Sequence, residues 1–260
     1  MGVLRTGLLS ITFRSLPPAE VVRLAAEAGL DAIEWGGDVH APHGDRAAAA
    51  EAARLTREAG LTVRGYGSYY RLGVEGQPFG FEDVLASAVA LGAPAIRVWA
   101  GNRASAEADD AWRERVTAEA RRVAETAKAE GIVVCLEYHA NTLTDTCDSA
   151  IRLLREADSA NLRTLWQPAI GLSAAERLDE LTRVSPWLEY VHAYYWVDGE
   201  RRPFAEGAEE WERYLRAVRE LPGERHAMLE FVRDDAPGQL LEDAGALKRL
   251  VRDIECGSIE

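Results

Sequence analysis

Ala19-Glu20-Val21-Val22-Arg23-Leu24-Ala25-Ala26-Glu27-Ala28-Gly29-Leu30-Asp31-Ala32-Ile33-Glu34-Trp35 holds the unit from which this chain is built. Val21, Val22, Leu24 and Ala25 share one face at helical spacing; Pro17-Pro18 precede the run and Gly29 ends it. A short apolar stretch then reads as a strand, residues 32–35. The order recurs downstream: helix over 47–59, Gly60, strand over 61–66; helix over 81–91, Gly92, strand over 95–99; helix over 109–130, Gly131, and a strand that carries Glu137. Three of the first four helices finish in Ala-Gly or Glu-Gly followed by Leu or Ile. The second half continues with helices over 147–157, 174–183, 209–220 and 239–255, and strands over 162–167, 188–193 and 226–231. A first strand over 6–12 completes eight strands and eight helices. Strand–helix alternation implies parallel pairing, and eight units in 260 residues imply one α/β domain over 1–260, closed as a (β/α)8 TIM barrel. An open doubly wound sheet is the competing architecture. Against it, Leu8-Leu9-Ser10-Ile11-Thr12 has none of the glycines of a dinucleotide-binding turn.

Composition narrows the function. A net charge of −13 repels a phosphate backbone, so no nucleic-acid partner is expected. Cys135, Cys147 and Cys256 lack metal-ligand spacing, and an odd count with no pairing pattern suits a reducing, cytoplasmic setting. The single arginine and interrupted apolar stretch at the N-terminus read as a strand rather than a signal peptide. No apolar run approaches the roughly 18 residues that span a bilayer, so no membrane partner is expected either. Seven Trp and eight Tyr against five Phe suit a pocket wall, where a flat apolar ring carries a polar edge.

In such a barrel the reactive groups stand at the C-terminal ends of the strands. Glu137, Gln167, His192 and Glu230 occupy those ends on the fifth to eighth strands. Buried carboxylates and an imidazole are costly unless paired, protonated or bound to metal. Together the four form a hard O/N donor set, which suits Mn²⁺, Mg²⁺, Co²⁺ or Zn²⁺. Period-two geometry puts His139 on the face of Glu137, Tyr194 on that of His192, and Arg97 with Trp99 opposite Ile96 and Val98. An inward Arg97 needs an anion, and Glu34 or Glu137 is available. His40, in the loop after the second strand, Tyr66, Trp99 and Trp166 at strand exits, and Arg202 in the loop over 198–203 complete the candidate substrate contacts.

These residues resemble the xylose-isomerase-like superfamily, the sugar phosphate isomerase/epimerase group. Residues 18–35 are similar to its first helix and second strand, with Ile33-Glu34 at the strand end. Leu136-Glu137-Tyr138-His139 with Thr142-Leu143-Thr144-Asp145 is similar to its fifth-strand motif, and Val191-His192 and Leu229-Glu230 to its later ligand strands. The resemblance implies a divalent metal held by Glu137, His192 and Glu230. Gln167 stands where the family usually has Asp, which removes one negative charge. The implied activity is isomerisation or epimerisation of a sugar or related polyhydroxy carbonyl compound in carbohydrate metabolism, through an enediolate, with Glu137 and Glu230 as the acid/base pair. A possible homo-oligomer is implied too. A metal-dependent lyase or dehydratase on a sugar-derived or specialised metabolite uses the same parts and is the alternative; a non-catalytic binding barrel is a further one. An endonuclease IV-like reading fails on five histidines, too few for a multinuclear zinc site, and on the acidic charge.

Overall fold

The computed structural model describes residues 2–257. The barrel strands are β1 Val3–Leu9, β2 Ala32–Gly36, β3 Thr62–Arg71, β4 Ala95–Trp99, β5 Val133–Leu136, β6 Leu162–Trp166 and β7 Leu188–Ala193. A hairpin of β8 Trp196–Val197 and β9 Glu200–Arg201 follows, and β10 Glu224–Leu229 is the eighth barrel strand. The strands close in the order β1-β10-β7-β6-β5-β4-β3-β2, every pair parallel. Outside them lie α1 Pro18–Glu27, α2 Arg46–Glu58, α3 Phe81–Leu91, α4 Asp110–Lys128, α5 Cys147–Ala157, α6 Ala174–Val184, α7 Ala208–Arg219 and α8 Pro237–Cys256. The expected (β/α)8 barrel is the fold.

Local chemistry sets the element ends. Gly29 (φ 64°) and Gly131 (φ 71°) take the left-handed conformation that stops α1 and α4, which is why the Ala-Gly and Glu-Gly stops mark each return to the sheet. Asp109 caps α4 by accepting from the Trp112 N–H at 2.7 Å, and Ser173 with Glu176 closes a capping box on α6.

Three expectations differ in detail. The first strand, expected over 6–12, runs Val3–Leu9 and becomes a 3₁₀ turn at Ser10–Phe13. There the hydroxyls bind neighbouring backbone instead of extending the ladder: Ser10 Oγ accepts the N–H of Gly36 at the end of β2 (2.9 Å), and Thr12 Oγ1 accepts the Phe231 N–H (3.2 Å). β3 runs five residues beyond the expected end at Tyr66, pairing Gly67 with Arg97 and Arg71 with Trp99 across an irregularity. The β8–β9 hairpin was not anticipated; Asp198-Gly199 makes its turn with both residues at positive φ, the geometry that Asp-Gly favours.

Side chains alternate between two cores. Ile33, Ile96, Val98, Val134, Leu136, Val191 and Leu229 face the helices. Ala32, Ala95, Cys135, Leu165, Tyr190 and Met228 fill the lumen. The same parity aims Arg97, Glu137, Gln167, His192 and Glu230 inward at the barrel's C-terminal end.

At the opposite end Arg64 stacks 4.6 Å over Tyr190 and bonds Glu189 (2.8 Å), and His226 is buried beside them. Burial, with Arg64 and Arg5 nearby, lowers the His226 pKa to about 3. The unfolded chain therefore binds a proton at His226 that the folded chain rejects. Its contribution to stability is complete above about pH 6.5 and is lost as the pH falls towards 3. His40 and His43 shift the same way. His226→Gln is expected to remove one proton's worth of slope, up to ~1.4 kcal/mol per pH unit, from urea-unfolding stability between pH 6 and 5. An unchanged slope refutes the assignment.

Candidate active site

Glu137, Gln167 and Glu230 each stand one residue beyond their strand, on β5, β6 and β10, and His192 lies inside β7. Ligand atoms of Glu137, His192 and Glu230 lie within 4.8 Å of one another, all three buried. The Gln167 amide is oriented by its own bond: Nε2 donates to the Tyr138 carbonyl at 2.6 Å, which turns Oε1 to within 3.1 Å of His192 Nδ1. His192 Nδ1 also lies 3.5 Å from Glu230, while Nε2 faces Glu34 at 3.3 Å. Two carboxylates, an imidazole nitrogen backed by a third carboxylate, and an aimed amide oxygen thus converge. This donor set fits a hard divalent ion, with Glu34 in the place from which a carboxylate orients a ligating histidine.

Arg97 ties the group together. It reaches Glu34 at 3.0 Å through Nε and Glu137 through Nη1, with the guanidinium and both carboxylates buried. Its Nη2, lying against Gly67, is buried without an acceptor. Gly67 is required here: a Cβ would collide with the Arg97 guanidinium and the Glu34 carboxylate. Burial opposes the charge on Glu34, but His192 and Arg97 outweigh it and hold the pKa down to about 2. Burial likewise opposes charging of His192, and Glu230 with Glu34 pushes its pKa up to about 10. One Glu137 oxygen accepts from both Arg97 Nη1 and Trp99 Nε1.

A cavity of about 620 Å³ opens above these groups. Trp99 stacks 4.3 Å from His139, whose Nδ1 lies 2.8 Å from the Ala140 carbonyl. That contact favours the tautomer with the proton on Nδ1, in which Nε2 carries the lone pair. Arg97, Trp99, Glu137, His139, Gln167, Tyr194 and Glu230 all line the cavity.

Four candidates lie elsewhere. Trp166 faces the helices, packed edge-on against Trp211 and Tyr214; one position from the inward Gln167, it takes the opposite face. Tyr66 also faces outward, its hydroxyl donating to the Ala41 carbonyl at 2.8 Å. His40 is buried between Ser10 Oγ and the Leu16 carbonyl, each at 3.0 Å. Arg202 turns to Glu206 at 3.5 Å. Glu34, expected only as a counter-ion for Arg97, joins the site, and Arg14, Tyr69 and Phe231 were not among the candidates. Arg14 donates to the Tyr69 hydroxyl (2.7 Å), and Tyr69 and Phe231 sit on the cavity wall at positive φ. Such non-glycine conformations collect at ligand sites, but no sequence period reveals them.

Comparison with known proteins extends this picture. The family model for xylose isomerase-like TIM barrels matches residues 22–250. Over 103 residues the chain is 32% identical to a 3-dehydroshikimate dehydratase of Bacillus anthracis, covering 37% of this chain and 35% of that protein, about a third of its length. Among solved structures, a probable 3-DHS dehydratase involved in petrobactin synthesis in Bacillus anthracis superposes with a TM-score of 0.78 at 23% identity, covering 95% of this chain and 99% of the other. A D-psicose 3-epimerase of Clostridium cellulolyticum H10 superposes with a TM-score of 0.71 at 17% identity, covering 97% and 100%. At these identities the structural likeness is one of fold. No helix among the described residues is long and apolar enough to cross a membrane.

Proposed function

The chain belongs to the xylose isomerase-like TIM-barrel family, and on that premise we propose that it is a divalent-metal-dependent lyase removing water from a cyclic oxo-polyol, with a ring of the 3-dehydroshikimate kind. The stretch shared with a 3-dehydroshikimate dehydratase supports this. The observation that carries it is the contrast between Glu137 and His139. An epimerase needs a proton carrier on each face of the substrate. Glu137 has an oxygen already committed to Arg97 and Trp99, which suits a fixed ligand better than a carrier. His139 lines the cavity with Nδ1 turned to the Ala140 carbonyl, an arrangement that suits Nε2 as a single base.

Glu137, Gln167, His192 and Glu230 would hold the ion, which supplies Lewis-acid polarisation of a carbonyl and so acidifies the neighbouring C–H. His139 Nε2 takes the proton from that carbon. The C–O bond one carbon further on breaks, and the departing hydroxide takes the proton back from Nε2, leaving water, a new double bond and neutral His139. The Trp99 ring walls the pocket beside the base.

The test is incubation with Mn²⁺ or Mg²⁺ and either 3-dehydroshikimate or a ketose panel. Loss of water from the former gives an aromatic dihydroxybenzoate, read by its ultraviolet absorbance. Epimers or aldoses from the panel, with no aromatic product, overturn the lyase reading. A sugar isomerase or epimerase is the second reading, favoured by the two carboxylates beside His192, Glu137 and Glu230, which would then be the acid/base pair. His139→Asn separates the two. Turnover is expected to fall by about 10²–10⁴ if His139 is the base, and by less than about tenfold if the glutamates carry the protons.

A further inference from the structure

The cavity over the carboxylates is larger than one sugar-sized ring requires. Even if each of roughly a dozen heavy atoms takes a whole water's share, about 30 Å³, some two-fifths of the 620 Å³ is left over. A second cavity of about 430 Å³ adjoins it and shares Pro168, Ile170, Tyr194 and Trp196 as walls. It lies between the loop after β6 and the β8–β9 hairpin.

The two spaces differ in chemistry. Titrating groups crowd the first. In the second, Arg177 and Glu210 are spent on each other at 3.4 Å, with Arg177 Nε also held by the Ala169 carbonyl at 2.9 Å. Neither charge is free to recruit an ionic ligand. The rest of its wall mixes Leu172, Val197, Trp211 and Tyr214 with Ser173 and the exposed Asp198. Ile170, on the shared rim, is 67% exposed, the most exposed large hydrophobic side chain among the described residues. Trp196 lines both cavities, and its indole N–H is buried without an acceptor. An exposed aliphatic beside an indole with an unused donor suits an apolar group attached through an oxygen.

We propose that the substrate carries an aromatic substituent on its polyhydroxy ring, seated between Ile170 and Trp196, with the linking oxygen accepting from Trp196 Nε1. The proposal rests on the lyase reading for the position of the ring, and it makes the natural substrate larger than 3-dehydroshikimate. Extra apolar contact at one end of a pocket adds affinity without touching the chemistry at the other.

The test is equilibrium binding by calorimetry to the full chain of two probes, p-nitrophenyl β-D-glucopyranoside and methyl β-D-glucopyranoside. They share a ring and differ only in the arm, and neither offers a carbonyl for turnover. The aryl glycoside is expected to bind at least tenfold more tightly. Ile170→Asn, at an exposed position, is expected to erase most of that preference while leaving the methyl glycoside unchanged; Trp196→Ala, which also removes the donor to the linking oxygen both probes carry, is expected to weaken both and to erase most of the preference. Trp196→Phe keeps the ring and removes only the donor, so it is expected to weaken both probes alike and to retain most of the preference. Equal affinities, no binding of either probe, or a preference untouched by the first two variants overturns the subsite. An aryl preference in a protein that dehydrates no ring compound sinks the lyase reading and supports the subsite on its own.

Discussion

Glu230→Gln is expected to lower turnover by about 10³-fold or more, with the thermal midpoint within a few degrees of wild type. The substitution is isosteric, so packing around this buried side chain is kept. What changes is charge. Glu34, Glu137 and Glu230 bring three negative charges to the site, and Arg97 brings one positive. With a divalent ion and a neutral His192 that set sums to zero, whereas the amide of the Glu230→Gln variant leaves it one unit positive. Each family site with Asp in place of Gln167 would instead carry an extra negative charge; here Glu230 has no such reserve behind it. Under the proposed ligand role, losing the Glu230 carboxylate weakens the hold on the ion and removes its polarising position, a larger change than the 10–100-fold typical of an outer partner. Divalent-ion content after dialysis, measured beside turnover, checks the cause. Full turnover in Glu230→Gln refutes the role under both the lyase and the epimerase readings.

The barrel was legible because its evidence is repeated: each Gly stop after a helix, at Gly29, Gly60 and Gly131, says the same thing again. Glu137, Gln167, His192 and Glu230 were legible for a related reason, since polar residues at the exits of apolar strands stand out one strand at a time. Trp166 and Tyr66 show what happens when proximity to a strand end is used without parity. Trp166 adjoins the inward Gln167 and so must face the helices, and the alternation needed to see this was already in the sequence. His40 and Arg202 sit in loops, where no period fixes direction; hydrogen bonds to Ser10 and Leu16 take up the one, and Glu206 pairs with the other. Glu34 was visible as a counter-ion for Arg97, but its contact with His192 crosses the lumen from β2 to β7 and exists only because the barrel closes. Tyr69 and Phe231 depend on left-handed backbone at non-glycine positions, which tertiary contacts impose.

Arg97→Met is expected to be the most destabilising single change at the site, by about 3–5 kcal/mol, because removing one member of a buried ionic group leaves the others uncompensated. For a chain of this size that is roughly a 10 °C fall in thermal midpoint. The side chains are of similar length and the lumen keeps its volume, so the deficit is electrostatic. That makes it pH-dependent with a definite sign. In the wild type Arg97 and His192 hold the Glu34 pKa down to about 2. Without the guanidinium, burial acts on Glu34 with less opposition, and its folded-state pKa rises. The variant's folded state then takes up protons that the wild type refuses, so acidification relieves it. The stability gap between wild type and Arg97→Met, read from urea unfolding, is therefore expected to narrow as the pH falls from 8 to 5. Arg97→Lys tests the geometry separately: a single ammonium cannot reach Glu34 and Glu137 through two fixed N–H groups as the guanidinium does, so it is expected to recover only part of the loss. A gap that stays constant or widens on acidification would mean that Arg97 acts by packing, and the ionic account of the site's floor would have to be abandoned.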